Sequence, residues 1–248
     1  MNIKEIPSIA PLALAIWGFL LTGVCAWTGN AEGMADQKTY LADITATLQK
    51  QWPENRIVNI VCHGHSVPAG YFETPVVDTF NAYPHLLHQG LKRRFPWSVI
   101  NVIVTAIGGE NSEAGAARFD RDVLSLRPDV VAIDYGLNDR PIGTARAKIA
   151  LVSMIRKTQK KNVKVILLTP TADMEAKLDD ANDPLNQQAE LIRALAGEYH
   201  VGLVDSLEAF KLFVKGGGRF PDLMSQVNHP NRRGHELVAE RLLLWFPK

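Results

Sequence analysis

Ser66 stands in the run His63-Gly64-His65-Ser66-Val67-Pro68-Ala69-Gly70, where Gly64 permits a tight backbone path and the exposed hydroxyl can act as a nucleophile. A serine in such a turn also serves as a helix cap. In Ile107-Gly108-Gly109-Glu110-Asn111-Ser112 the glycines let backbone N–H groups face a ligand without obstruction, or simply make a turn. Tyr135-Gly136-Leu137-Asn138-Asp139 offers the amide of Asn138 on the same terms. Near the C-terminus, His229 precedes Pro230 and Asn231, and its imidazole can fold back to meet Ser66 as a general base or remain an ordinary loop residue. Taken together, a hydroxyl, a base and a set of N–H donors are what nucleophilic acyl transfer needs.

A metal site competes for part of this set. His63 and His65 are spaced so that alternate strand residues point the same way, a ligand arrangement that Asp139 and His229 would complete. That reading leaves Gly109 and Asn138 without a role, whereas acyl transfer uses every cluster, so neither metal nor cofactor is expected. His85, His88, His200 and His235 read as structural.

The elements that must position these clusters are five Val- and Ile-rich runs: Ile57 to Cys62, Val99 to Thr105, Asp129 to Tyr135, Val163 to Leu168 and Val201 to Val204. Helical periodicity between them covers Val77 to Phe95, Ala145 to Lys160 and Pro184 to Tyr199, with an earlier helix near Gln37 to Gln51. Asn231 is placed to cap a last helix through Trp245. Such alternation predicts an α/β fold: a three-layer α/β/α sandwich around a five-stranded, mostly parallel, doubly wound sheet, with the ligand at the carboxyl ends of the strands. Three of the four clusters directly follow the first three strands.

The 248 residues suffice for one catalytic domain over residues 32–248. Residues 10–26 form an apolar stretch ahead of small residues, which reads over 1–31 as a signal peptide or an uncleaved signal anchor, and predicts a secreted or periplasmic protein with a possible membrane anchor. With 27 Lys and Arg against 26 Asp and Glu, no field favours nucleic acid, and the expected partner is a small-molecule or glycan ester. The basic run Arg156 to Lys164 reads as the solvated end of a helix. Cys62, inside an apolar strand, reads as a buried small hydrophobe.

In this order the clusters resemble the four sequence blocks of the SGNH, or GDSL-type, hydrolases, from about Arg56 to the C-terminus. Gly64-His65-Ser66 matches the family's Gly-Asp-Ser, Gly109 its second-block glycine, Gly136-Leu137-Asn138-Asp139 its Gly-x-Asn-Asp, and Gln226-Val227-Asn228-His229-Pro230 its Asp-x-x-His-Pro. The resemblance implies a flavodoxin-like SGNH hydrolase fold and a serine esterase. Ser66 would attack an ester carbonyl, His229 would carry the proton, and the N–H groups of Ser66 and Gly109 with the Asn138 amide would hold the oxyanion. Two positions depart from the pattern: His65 and Gln226 stand where the family has aspartates. Gln226 can accept the Nδ1 proton of His229 through its amide oxygen, a backbone carbonyl can do the same, and Asp222 is a third candidate; a Ser-His dyad with neutral support is the expected arrangement. The resemblance also suggests a short acyl ester as substrate, an O-acetyl group on a carbohydrate. Tyr71 and Phe72, close after Ser66, can form an apolar platform for a sugar ring, although each is more readily read as packing the loop onto the core. A lysophospholipase or thioesterase, and an inactive glycan-binding module, are the alternatives.

Overall fold

The computed structural model of the chain describes residues 33–248, so the segment read as a signal peptide or anchor lies outside the described residues. Helix α1 (Ala42–Leu48) precedes β1 (Ile57–Gly64), which passes through the short helix α2 (Ser66–Ala69) to α3 (Tyr83–Arg94). Then follow β2 (Val99–Val104), α4 (Ser112–Asp122), β3 (Val130–Asp134), α5 (Gly143–Gln159), β4 (Lys164–Leu168), α6 (Pro184–Glu198) and β5 (Gly202–Val204). Helix α7 (Ser206–Lys215), the paired short strands β6 (Met224–Gln226) and β7 (His229–Pro230), and α8 (Arg232–Leu243) end the chain. The first five strands form one parallel sheet in the order β2-β1-β3-β4-β5, the doubly wound topology expected from the alternation.

The two faces of that sheet follow from the period of two along each strand. Val58, Ile60 and Cys62 of β1, Val130 and Ala132 of β3, and Ile166 and Leu168 of β4 pack with Leu87 and Leu91 of α3, Phe210 of α7 and Val238 and Leu242 of α8. Their neighbours Val61, Val131, Ile133, Val165 and Leu167 point the other way, against Phe119 of α4, Leu151, Met154 and Ile155 of α5 and Ile192 and Leu195 of α6. Burial on both faces explains why these strands read as continuous apolar runs. Cys62 is fully buried, as expected of a small hydrophobe.

Several boundaries differ from the sequence expectation. The helix expected from Val77 starts at Tyr83, where Pro84 falls in its first turn, a position that needs no N–H; Val77 instead bridges Tyr71 across the intervening loop. The early helix spans only Ala42–Leu48 of the expected 37–51, and the last ends at Leu243 rather than Trp245. Helix α7, capped by the Asp205 carboxylate on the Glu208 N–H, and the β6–β7 pair were not evident from periodicity. Capping works elsewhere as the sequence suggests, with the Asn231 side chain accepting from the Gly234 N–H at 3.2 Å.

Gly64 of β1 pairs with Asp134 of β3 where there is no room for a side chain: a Cβ there would lie 2.3 Å from the Asp134 carbonyl oxygen and 2.8 Å from the Pro68 ring. Gly197, inside α6, has nothing within 4 Å of that position. Gly64→Ala is therefore expected to destabilise by about 1–3 kcal/mol through overpacking, whereas Gly197→Ala gains roughly 0.5–1 kcal/mol of helix propensity. Thermal melts of the two variants check this, with Tm falling several degrees in the first and rising in the second.

Candidate active site

Strand β1 delivers the first cluster at its carboxyl end. Ser66 is the first residue of α2 rather than its cap; His65 is the cap, its Nδ1 accepting from the Val67 N–H at 3.3 Å. Beyond α2 the chain turns through Gly70, in the left-handed conformation at φ 94°, into a loop closed by the Phe72 N–H to Val76 carbonyl (3.0 Å) and Asp78 N–H to Gly70 carbonyl (2.7 Å) bonds. That loop lies against the β6–β7 pair, which carries His229. The imidazole Nε2 is 2.9 Å from Ser66 Oγ, across 163 residues of sequence. Both residues are buried in the site, at 7% and 6% exposure, so the contact is sheltered from bulk water.

Support for the imidazole comes from the backbone. His229 Nδ1 lies 2.9 Å from the Phe72 carbonyl, which can only accept, so this bond places the proton on Nδ1 and the lone pair on the Nε2 that faces Ser66. Of the three supports offered by the sequence, the backbone carbonyl is the one found, and the Gln226 amide oxygen is not. The oxygen is taken by the Thr74 N–H at 2.9 Å, and it is the Gln226 Nε2 that lies 2.8 Å from His229 Nδ1, with Asn228 Oδ1 at 3.3 Å. An amide N–H bonds Nδ1 only when that nitrogen is bare. Phe72 and Gln226 thus favour opposite tautomers, and only the Phe72 bond leaves Nε2 free to accept. Asp222 does not reach the imidazole; its carboxylate pairs with Arg219 at 2.7 Å, which holds it below the usual carboxylate range. Burial pushes the His229 pKa below the ordinary imidazole value, with the Phe72 carbonyl opposing the shift, so the ring is neutral at pH 7.

The second and third clusters are tied to the first in sequence of strands. The Ile107 N–H donates to the Gly64 carbonyl at 3.0 Å, and Asn138 Nδ2 donates to the Glu110 carbonyl at 3.1 Å. Gly109 adopts φ +78°, a left-handed conformation that L side chains rarely take, and has open space around it. The loop is further held by Asp139, whose carboxylate accepts from the Ser112 N–H at 2.8 Å at the start of α4; burial raises its pKa to about 6.

Sequence reasoning missed a buried network beneath this loop. Arg118 Nε donates to Glu110 Oε1 at 2.7 Å, the Tyr135 hydroxyl donates to Glu110 Oε2 at 2.8 Å, and His63 Nε2 lies 3.1 Å from the same hydroxyl. His63 Nδ1 faces Thr105 Oγ1 at 2.8 Å, and burial brings its pKa down to about 4, so a neutral ring is part of the packing. The only hint in the sequence was Glu110 beside Gly109 with Arg118 two helical turns further on.

His63 and His65 do not share a site. His63 packs with Phe119 and Tyr135 on the α4 face, whereas the chain leaves the strand at Gly64 and His65 turns to Asp134, on the α3 face with Tyr83. Among the described residues no three His, Cys, Asp or Glu side chains are grouped to hold a metal ion. Tyr71 and Phe72 also part company. The Tyr71 ring lies over Gly108 and 6.0 Å from the His229 ring, lining the site, while the Phe72 ring stacks on His235 at 5.2 Å. An open cleft of about 610 Å³ runs from Gly109 and Asn138 past Arg140 to Glu175 and Asp183. A larger groove, about 840 Å³, lies between α5 and α6 and includes none of these groups.

Residues 62–237 match the GDSL-like lipase/acylhydrolase family. An acetylxylan esterase of Geobacillus stearothermophilus is 24% identical over 166 residues, covering 62% of this chain and 75% of that protein. The crystal structure of an acetylxylan esterase from that organism superposes with a TM-score of 0.66 at 22% identity, over 77% of this chain and 94% of that one. A two-domain esterase active on acetylated mannans superposes with a TM-score of 0.67 at 22% identity, over 85% of this chain and 55% of that one. With the family match spanning most of its length, this chain belongs to the GDSL-like lipase/acylhydrolase family and is a carboxylic ester hydrolase of the SGNH fold.

Proposed function

We propose that this chain is an exported serine esterase that removes short acyl groups, acetyl foremost, from carbohydrates. The observation that carries the mechanism is the 2.9 Å contact between Ser66 Oγ and a His229 Nε2 whose opposite nitrogen is bound to the Phe72 carbonyl. Ser66 attacks the ester carbonyl as Nε2 takes its proton; the oxyanion is met by the N–H groups of Ser66 and Gly109 and by the Asn138 amide. The imidazolium then protonates the departing alcohol, and water repeats the cycle on the acyl enzyme. Asn138 has two amide hydrogens, and the one spent on the Glu110 carbonyl leaves the other for the oxyanion. Losing such a donor costs on the order of 3 kcal/mol of barrier.

Carbohydrate as the alcohol component is supported by the cleft that starts at Gly109 and Asn138, whose lining includes Arg140, Glu175 and Asp183 and so suits a hydroxyl-rich ligand better than an acyl chain. Two of the similar proteins act, by name, on acetylated xylan and acetylated mannans. The apolar stretch at residues 10–26 supports export, which would bring the enzyme to such glycans.

On an acetylated xylan or mannan, Ser66→Ala is expected to lower acetate release by at least about 10³-fold, and adding His229→Ala should cost nothing further, since both act in one unit. Full turnover by Ser66→Ala would end the nucleophile assignment. A series of p-nitrophenyl esters should fall in kcat/KM from acetate to longer chains. A steady climb instead, at about 0.8 kcal/mol per buried methylene, would mark a lysophospholipase or thioesterase.

The pH dependence follows from the His229 environment. The neutral ring is the base, so kcat/KM should fall as pH drops through a pKa below the ordinary imidazole value. Gln226→Glu keeps the acceptor for Thr74 and replaces the opposing N–H with a carboxylate oxygen, which favours the imidazolium and raises that pKa. The acid limb should move to higher pH and the plateau rise by on the order of tenfold; pH–rate profiles of the two proteins make the comparison.

A further inference from the structure

The two departures from the family pattern fall on either side of the same hydroxyl. His229 has lost a carboxylate partner at Gln226, while the residue beside the nucleophile is an imidazole with a carboxylate behind it. His65 Nδ1 lies 3.4 Å from Ser66 Oγ, and His65 Nε2 lies 3.4 Å from Asp134 Oδ1, with both side chains at most 2% exposed. The tautomer of this second ring is fixed by its neighbours. Nδ1 accepts from the Val67 N–H, so it carries a lone pair and the ring proton sits on Nε2, toward Asp134. Asp134 is in turn held by the Tyr83 hydroxyl, which donates to its other oxygen at 3.2 Å. Asp134, His65 and Ser66 therefore follow one another as carboxylate, imidazole and hydroxyl; in the resting site His65 Nε2 and Asp134 Oδ1 face each other without a hydrogen bond, and the Nδ1 lone pair is shared between the Val67 N–H and Ser66 Oγ.

We propose that His65 is a second base for Ser66, supported by the buried carboxylate of Asp134. The inference rests on Ser66 being the nucleophile. In the step it performs, the Ser66 Oγ–H bond breaks as Nδ1–H forms, the Oγ electron pair bonds the acyl carbon, and the carbonyl π pair moves onto oxygen. His65 becomes an imidazolium whose Nε2–H faces Asp134. Collapse of the tetrahedral species restores the carbonyl and expels the alcohol oxygen with its bonding pair. An alkyl alkoxide needs a proton at that moment, which His229 can supply only on the route in which it has itself taken the Ser66 proton; with that proton held on His65, acylation serves leaving groups that need none, such as p-nitrophenolate. The 3.4 Å contacts belong to a resting site, and catalytic hydrogen bonds commonly tighten only as charge develops. The charged or titratable groups that bear on the ring are Asp134 and Tyr83 behind it, Asp139 beyond β3, and His229 across the serine.

The choice of leaving group makes the two bases separable. In His229→Ala, the p-nitrophenolate burst from p-nitrophenyl acetate, which reads acylation alone, should persist at roughly 10²-fold above Ser66→Ala, while acetate release from an acetylated glycan is lost. Adding His65→Asn, whose side chain still caps the Val67 N–H, should remove that residual burst, and adding Asp134→Asn should weaken it. His65→Asn alone should slow the burst about tenfold with KM unchanged. If His229→Ala and His229→Ala/His65→Asn give the same burst, and His65→Asn matches the wild type, His65 is only a cap and the proposal is overturned. A burst that survives in Ser66→Ala overturns the nucleophile assignment instead, so the two failures look different.

Discussion

His229 can face Ser66 with a lone pair only while its proton stays on Nδ1, and in this chain that condition is met by the carbonyl of Phe72. The bond makes the loop after α2 part of the site. The Tyr71–Val77 bridge, the bonds across residues 70–78 and the Thr74 N–H on Gln226 all fix where that carbonyl points. On the far side, the Ser225 hydroxyl donates to the His229 carbonyl at 3.0 Å and ties β6 to β7. A neutral acceptor orients the ring as a carboxylate would, but contributes no charge to the imidazolium. The burial that lowers the His229 pKa favours the neutral ring, and the missing charge makes its protonated form harder to reach.

The loop that carries Gly109 and orients Asn138 is built on the opposite principle, with full charges held largely out of water. Glu110 and Arg118 are each 9% exposed in their side chains and share the Tyr135 hydroxyl, directly under the carbonyl that orients Asn138. A buried ion pair with its remaining valences satisfied does little for net stability, yet removing one partner strands the other. Such a network suits a loop that must not move when charge develops on a bound ester, because preorganised donors cost no rearrangement in the transition state.

The sheet separates two polar systems that sequence places within three residues. His63 belongs to the Glu110 network on the α4 face, and His65 to Asp134 and Tyr83 on the α3 face. Their divergence follows from Gly64: with no Cβ to meet the Asp134 carbonyl, β1 ends close against β3 and the chain turns at once into α2. The same close approach brings Asp134 within reach of His65, the residue that precedes Ser66.

The sequence by itself determined the parallel sheet, its strand order of appearance and the location of Ser66, Gly109, Asn138 and His229 at loops. Val- and Ile-rich runs buried on two faces, broken by glycine turns, leave few other folds. It did not determine what each side chain would touch. The start of α3 at Tyr83 rather than Val77, the α7 cap at Asp205 and the β6–β7 pair rest on local geometry too short to leave a periodic signal. Gln226 was legible as a neighbour of His229, but which end of its amide meets the ring depends on Thr74, 152 residues away. That a backbone carbonyl could hold His229 was legible, but not that it would be the carbonyl of Phe72, since a backbone oxygen has no residue-type signature and its role arises only when two distant loops close on each other. Sequence names the groups that can do chemistry; the direction in which each donor and acceptor points is set by tertiary packing, because hydrogen bonds are directional and their partners here lie far apart along the chain.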